Sequence, residues 1–312
     1  MVDLSHFESL SIAVVIPCLN EAQTIGKVVS DVRAILPNAQ IYVYDNGSND
    51  ATVDVAMTAG AIVRLEPQKG KGRALRTAFR EIEAQLFITV DGDDTYAVEQ
   101  LPSMIQTLHE QRLDMVVGNR LQQKVSHARL GHYWGNQLFS KIISHLFTVE
   151  VKDPFSGLRV MTARFVKSFP SVSKGFEVET ELTVHAYDLD AGFKEVEVDY
   201  RLRPENSHSK LNTVMDGAKI LFKVLGLYQL KKPLPFYGGI AMILMLLSSM
   251  LFAVPFFEYL STGQVAHFPT LIVSMAGFLL AFLSLAIGFV SENNNSNTRE
   301  IKRFLFRSSP HV

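Results

Sequence analysis

The chain reads as an α/β protein: a doubly wound, mostly parallel sheet, then an amphipathic helix suited to a membrane interface, then a two-helix transmembrane hairpin. Three observations predict this. Short β-branched runs alternate with stretches of helical period from Ile12 to Gly118. From Lys210 to Lys232, residues Leu211, Val214, Ala218, Leu221, Leu225 and Tyr228 share one helical face, with Asp216, Lys219 and Lys223 off it. Phe236–Phe257 and Thr270–Val290 carry no charge and are each long enough to span a bilayer.

The elements follow in order. Ile12-Ala13-Val14-Val15-Ile16 is a first strand closed by Pro17. Asn20 is placed to cap a helix bearing Ile25, Val28, Val29, Val32 and Leu36 at helical spacing. Ile41–Tyr44 is a second strand that runs into Asp45-Asn46-Gly47-Ser48-Asn49-Asp50, and Asp50 can cap a helix from Ala51 to Ala59. Ile62–Leu65 is a third strand. Lys69, Lys71 and Arg73, interrupted by Gly70 and Gly72, lead into a helix that ends near Ala84. Leu86–Val90 is a central strand, followed by a helix from Val98 to about Glu110 and a fifth strand, Met115–Gly118, expected beside the central one. Trp134–Phe147 reads as a helix, Asp153–Gly157 as a loop, Glu177, Glu179 and Glu181 as the first turn of a further helix, and Lys194–Leu202 as a strand. The expected domains are residues 1–209 (the α/β body), 210–235 (interfacial), 236–290 (spans 236–257 and 270–290) and 291–312 (a basic tail).

Thirty Lys plus Arg against 31 Asp plus Glu give a net charge near zero, which argues against a general nucleic-acid binder. Hydrophobic content of 47 % is concentrated in the C-terminal segments. Cys18 is the only cysteine, so no internal disulfide forms, and its expected role is a small buried hydrophobe. Met1–Leu10 lacks the basic and apolar run of a secretory leader. Lys231 and Lys232 precede the first span, and Arg299, Lys302, Arg303 and Arg307 follow the second. The intervening Glu258–Pro269 has no Lys or Arg, so the positive-inside rule places both flanks and the α/β body in the cytoplasm, at the inner membrane in a bacterium.

Chemistry concentrates at Asp91-Gly92-Asp93-Asp94, where the central strand ends in three carboxylates. Like charges this close repel, and a hard divalent cation, Mg²⁺ or Mn²⁺, offsets that repulsion if Asp91 and Asp93 both reach it across the turn at Gly92. The same run also reads as a solvated acidic turn in which Asp94 or Thr95 caps the next helix. Acidic strand ends at Asp45 and at Asp91–Asp94, with a basic loop between them, suit a nucleoside diphosphate. Neither a dinucleotide-binding nor a P-loop glycine pattern is present.

Val14-Val15-Ile16-Pro17-Cys18-Leu19-Asn20-Glu21 resembles the opening of family 2 glycosyltransferases. Asp45–Asp50 is similar to their D-D-G-S-x-D turn, with Asn46 for the second Asp. Lys69-Gly70-Lys71-Gly72 and Asp91-Gly92-Asp93 match in order and spacing. Asp153-Pro154-Phe155-Ser156-Gly157-Leu158-Arg159, Ser209-Lys210-Leu211 and the C-terminal spans resemble the polyprenyl-phosphate branch, to which dolichol-phosphate mannosyltransferase belongs. The resemblance covers residues 12 to about 230. It implies a GT-A fold and inverting transfer of a hexose from a GDP-mannose- or UDP-glucose-type donor to polyprenyl phosphate. It implies that Pro17, Asn20, Glu21, Asp45, Lys71, Asp91, Arg203 and Lys210 surround the donor, and that Asp91 and Asp93 hold Mg²⁺ or Mn²⁺, with Asp93 catalytic. Arg120 is implied at the acceptor phosphate. Thr95 stands where dolichol-type members often carry a Gln, and Asn206 where the R-x-x-G-x-S-K run has Gly. The lipid bilayer is the further expected partner, and a homo-oligomer is left open. Transfer to a glycan or lipid hydroxyl, and a catalytically silent membrane scaffold, are the competing readings.

Overall fold

The computed structural model describes residues 10–120, 130–147, 150–170, 173, 175, 177–201 and 213–311. These form two compact units: Met1–Val224 with Arg303–Val312, and Leu225–Lys302.

In the first unit, seven strands make one sheet: β1 (Ile12–Cys18), β2 (Gln40–Asp45), β3 (Ile62–Leu65), β4 (Leu86–Thr89), β5 (Met115–Asn119), β6 (Arg159–Thr162) and β7 (Phe193–Glu197). Their order is β3-β2-β1-β4-β6-β5-β7. All neighbours are parallel except β6, which runs antiparallel to both β4 and β5. The expectation that the fifth strand borders the central one is therefore corrected: β6 lies between them. Four residues headed by an arginine carry too little pattern to declare a strand, and only long-range pairing makes Arg159–Thr162 one.

Helices cover both faces. On one side α1 (Ile25–Ile35), α2 (Thr52–Thr58) and α4 (Leu101–Glu110) close a core with Val14, Ile16, Val43 and Ile88. On the other, α3 (Lys71–Glu81), α6 (Ala163–Ser168) and α7 (Val178–Leu189) close a core with Ala13, Val15, Phe87 and Met161. Burial on both faces is why β1 and β4 read as unbroken apolar runs rather than alternating ones. A single tight turn, Val98–Gln100, leads into α4, and α5 (Leu130–Phe147) fills the connection from β5 to β6.

The C-terminal residues of α10 (Phe268–Ser308) also belong to this unit. Arg303 Nε donates to the carbonyl of Asp188 at 2.9 Å, and Arg307 pairs with Asp190 at 2.8 Å, so two cations meet the carbonyl end of α7. Phe306 is buried, with the Arg164 guanidinium 4.7 Å from its ring centre, and Arg164 in turn grips Asp114 with two hydrogen bonds.

The second unit contains α9 (Pro233–Thr262) and the part of α10 up to Lys302, with α8 (Thr213–Lys231) leading in. Both helices are long and apolar enough to cross a membrane, with a mean hydropathy of 2.4 in their most apolar windows. Met242, Leu246, Met250, Phe257, Leu279 and Phe282 are exposed, as a lipid-facing surface requires. The helices run antiparallel and approach closely at small residues. Ser248 touches Gly277, and Ser284 Oγ donates to the Tyr237 carbonyl at 2.9 Å.

Candidate active site at the strand ends

The parallel register sets Cys18 of β1 opposite Asp45 of β2, and Val15 opposite Thr89 of β4. The carboxyl ends of these three strands thus bring the expected nucleotide residues to one edge of the sheet, where open α/β folds bind ligands.

Asp45 is buried, with Oδ2 accepting from the amides of Gly47 and Ser48 at 3.1 Å each, while Oδ1 is buried with no hydrogen-bond partner among the described residues. An orphaned buried carboxylate oxygen costs free energy unless a ligand donates to it. Pro17 pairs in register with Tyr44. Asn20 does not cap α1. It takes a left-handed backbone (φ 51°), receives the Asn49 amide on Oδ1 at 2.8 Å, and donates its own amide to Ser48 Oγ at 2.8 Å. Asn20 therefore fastens the first loop to the second, and α1 starts five residues later because its first turn is built on the Glu21 carbonyl. The Glu21 amide donates to Thr52 Oγ1 at 2.8 Å, and Asp50 accepts from the Thr52 amide at 3.0 Å; Asp50 lies one residue before Ala51, the N-cap of α2, so it does not cap that helix as expected.

Asn46 has a use that its neighbours do not reveal. Its Nδ2 donates to the carbonyls of Glu66 (3.1 Å) and Gln68 (2.8 Å), and its Oδ1 accepts from the Gly70 amide. An aspartate could not make the two donations, which accounts for the amide at this position. The clamp shapes the loop that delivers Lys71 at the start of α3, with Gly70 at φ 132°, a conformation that side chains disfavour.

The acidic turn divides its three carboxylates. Asp94 takes a left-handed backbone (φ 56°) and pairs with Lys27 at 2.9 Å, on the α1 side. Asp93 is buried, and its Oδ1 accepts from Thr95 Oγ1 at 2.6 Å. Thr95 therefore orients Asp93, and neither it nor Asp94 caps the following helix. Asp91 is half-buried and lies against Gly157, where a side-chain carbon would stand 2.7 Å from Asp91 Oδ2. Lys71 Nζ lies 2.5 Å from Asp91 Oδ1 and 2.5 Å from Glu179 Oε1. Burial works against the ammonium, but the pull of Asp91 and Glu179 outweighs it, so Lys71 stays charged far beyond neutral pH. Burial pushes the Glu179 carboxyl up, partly opposed by Lys71.

These residues fit a divalent cation. Asp91 and Asp93 offer hard carboxylate oxygens, and no cluster of three or more His, Cys, Asp or Glu forms a protein-only cage among the described residues. A Mg²⁺- or Mn²⁺-type ion completes such a two-carboxylate site with phosphate and water.

Arg120 follows β5 and is held by Asp153: Nε donates to Oδ2 at 2.7 Å and Nη2 to Oδ1 at 2.9 Å. Tyr96 and Tyr200 flank its guanidinium at 5.9 and 5.4 Å. The two-pronged edge expected for a phosphate is thus occupied by Asp153, whose burial alone would raise its pKa but whose arginine partner keeps it below the usual range. Arg159 is wholly buried. It donates to the carbonyls of Ser156 (2.9 Å), Pro154 (3.1 Å) and Glu179 (2.9 Å), and to Thr183 Oγ1 (3.1 Å), tying the Asp153–Gly157 loop to the start of α7. Arg203 and Lys210 lie outside the described residues.

Glu179 lies in the first turn of α7, as the sequence reading has it; that it is buried against Lys71 is what that reading did not carry. The available signal was spacing. Residues two apart on a helix point about 200° apart given 3.6 residues per turn, so Glu179 and Glu181 cannot share one solvated face. Both are buried.

A family model described as Glycosyl transferase family 2 matches residues 13–168. The chain is 29 % identical to Glycosyltransferase AglJ of Haloferax volcanii, over 90 % of this chain and 93 % of that protein. It is also 29 % identical to the Dolichyl-phosphate hexose transferase of the same organism, over 67 % and 90 %. Among solved structures, glucosyl-3-phosphoglycerate synthase from Mycobacterium tuberculosis, in complex with Mn²⁺, uridine diphosphate and phosphoglyceric acid, superposes with a TM-score of 0.58 at 20 % identity, covering 72 % of this chain and 80 % of that one. The sheet and its helices are thus a GT-A fold.

Proposed function

This chain belongs to glycosyl transferase family 2, and from that premise we propose that it transfers a hexose, with inversion, from a nucleotide-diphosphate sugar to polyprenyl phosphate at the cytoplasmic face of a membrane. The observation that carries the reading is the convergence of Asp45, Lys71, Asp91 and Asp93 at the ends of β1, β2 and β4, in a chain that also bears two apolar helices of membrane-spanning length. The name of the dolichyl-phosphate relative supports the acceptor class. The absence of Lys and Arg between the apolar helices, with basic flanks on both outer sides, supports the orientation.

The orphaned Oδ1 of Asp45 accepts a hydrogen bond from the nucleoside, which fixes the donor's register. Asp91 and Asp93 would hold a divalent cation, which would supply Lewis-acid stabilisation to the departing diphosphate. Thr95 holds Asp93 in place for that role. Lys71 adds a fixed positive charge where negative charge develops. Arg203 and Lys210 extend that cationic lining in this reading. The acceptor needs no general base, because a phosphate monoester, with a second pKa of about 6, is already anionic near neutral pH. Arg120, anchored by Asp153, presents charge and its remaining Nη1 edge to that phosphate.

The test is a screen of radiolabelled nucleotide sugars with purified enzyme, organic extraction of the product, and polyprenyl phosphate against free polyprenol as acceptor. Product should form only with the phosphate, fall strongly in Arg120→Ala, and recover in part in Arg120→Lys. Equal use of polyprenol, or full activity in Arg120→Ala, would overturn the acceptor assignment.

A further inference from the structure

Tyr96 follows the acidic turn and is only 2 % exposed, yet its two ends meet two different groups. The hydroxyl accepts from the Gly157 amide at 2.8 Å and has Ser156 Oγ at 3.4 Å. Gly157 backs Asp91: a side-chain carbon there would stand 2.7 Å from Oδ2 and 2.8 Å from Oδ1 of that carboxylate. The ring flanks Arg120, whose guanidinium carbon lies 5.9 Å from the ring centre, within cation–π range. The backbone holds the side chain in this post. Tyr96 bridges Tyr200 in antiparallel fashion, with the Arg201 amide donating to the Thr95 carbonyl at 2.6 Å and the Ala97 amide to the Asp199 carbonyl at 3.1 Å. The Tyr200 ring meets the Tyr96 ring edge-on at 5.3 Å.

Burial of a ring does not account for the hydroxyl, because phenylalanine would fill the same space with no polar atom to satisfy. The hydroxyl is what the Gly157 amide requires, since a buried N–H without a partner is costly. The Gly157 carbonyl is held separately, by Thr89 Oγ1 at 2.8 Å, so this glycine is gripped at both backbone groups while its open side faces Asp91. The far end of the same loop is anchored without Tyr96. Asp153 accepts from Arg120 and, at 3.3 Å, from Asn136 Nδ2, and its amide donates to Glu195 Oε1 at 3.1 Å. The hydroxyl and the ring therefore act at separate places, one on the wall behind Asp91 and the other on the cation of Arg120.

Resting on the metal reading of Asp91 and the acceptor reading of Arg120 above, we infer that Tyr96 is a positioning residue for both. Its hydroxyl sets Gly157 against Asp91 and so fixes that carboxylate for a divalent cation. Its ring holds the Arg120 guanidinium for the acceptor phosphate. The two duties reside in different atoms, so substitution can take them apart.

Two quantities are read on the full-length protein in detergent: Mn²⁺ binding without nucleotide, by electron paramagnetic resonance of the free ion, and the KM for polyprenyl phosphate at saturating metal and donor. Tyr96→Phe keeps the ring and loses the hydroxyl. It should weaken Mn²⁺ binding by about fivefold, as one lost hydrogen bond implies. Its acceptor KM should stay within about twofold of wild type, because the Asp153 anchor is untouched. Tyr96→Leu loses both parts, so it should weaken Mn²⁺ binding alike and also raise the acceptor KM by about fivefold, as loss of a desolvated cation–π contact implies. A Tyr96→Phe variant that binds Mn²⁺ like wild type, or a Tyr96→Leu variant with the wild-type acceptor KM, would overturn the inference while leaving the metal and acceptor readings intact. So would equal changes of both quantities in Tyr96→Phe, which is what a merely structural role predicts. Wild type that binds no Mn²⁺ would overturn the metal reading along with the inference, and wild type that does not use polyprenyl phosphate would overturn the acceptor reading along with it. If Tyr96→Leu does not fold, Tyr96→Phe decides by its split: weaker Mn²⁺ binding at an unchanged acceptor KM supports the assignment, and any other pattern refutes it.

Discussion

Changing Asn46 to the aspartate that the family turn usually carries should harm this protein, although the two side chains have the same shape. Asn46 is 5 % exposed and donates to two carbonyls, those of Glu66 and Gln68. Asn46→Asp replaces both donations with a carboxylate oxygen facing carbonyl oxygens. Each unsatisfied buried group costs about 1–3 kcal/mol, so the two together cost about 2–6 kcal/mol. For a unit of this size that corresponds to a fall in melting temperature of roughly 4–24 °C. Thermal unfolding in detergent, followed by circular dichroism, measures it. The pH dependence has a definite sign. The new carboxyl faces acceptors, so in the folded state it holds its proton above its unfolded pKa of about 3.9. The folded state then binds more protons than the unfolded one, and stability is regained as pH falls. The deficit should be full at pH 8 and smaller at pH 5. A melting temperature within about 1 °C of wild type at pH 8 would show that the clamp contributes nothing, since even one lost bond predicts more.

Three further outcomes follow. Asp93→Asn should abolish transfer while the protein stays folded, and a near wild-type rate at limiting Mn²⁺ or Mg²⁺ would refute its metal role. Gly157→Ala places a methyl group 2.7 Å from Asp91 Oδ2 and must displace that carboxylate, so the metal requirement for half-maximal rate should rise by about tenfold, roughly 1.4 kcal/mol; an unchanged metal titration would count against Asp91 as a ligand. A cysteine at Ser261, with Cys18 replaced, should react with a membrane-impermeant thiol reagent in intact cells, whereas labelling only after lysis would reverse the assigned orientation.

The first five strands and their helices were legible because a doubly covered parallel sheet writes itself as apolar runs separated by helical periods. Ile12–Cys18 and Leu86–Thr89 are of that kind. Asp45, Asp91 and Asp93 stood out in the sequence as acids at strand ends, and the structure places them at the ends of β2 and β4. β6 was not legible, since Arg159 sits at its head and is buried only because four oxygens from Pro154, Ser156, Glu179 and Thr183 surround its guanidinium. Asn20 was misread for a related reason. Its side chain looks like a cap, but its role is a loop-to-loop contact across 29 residues, which local spacing does not encode. Glu179 acquires its partner only when α7 meets α3.

The placement of residues 303–311 bears on how the protein is made. The catalytic unit is discontinuous along the chain: its sheet is complete by Glu197, yet Arg303, Phe306 and Arg307, which meet the end of α7 and Arg164, come off the ribosome after both apolar helices. Domains can fold as they emerge, but here the Phe306 site of the nascent body stays uncovered until the two apolar helices have been synthesised. Expression of the body cut after α8 would leave that seat permanently empty, whereas joining residues 303–312 back through a flexible linker would refill it.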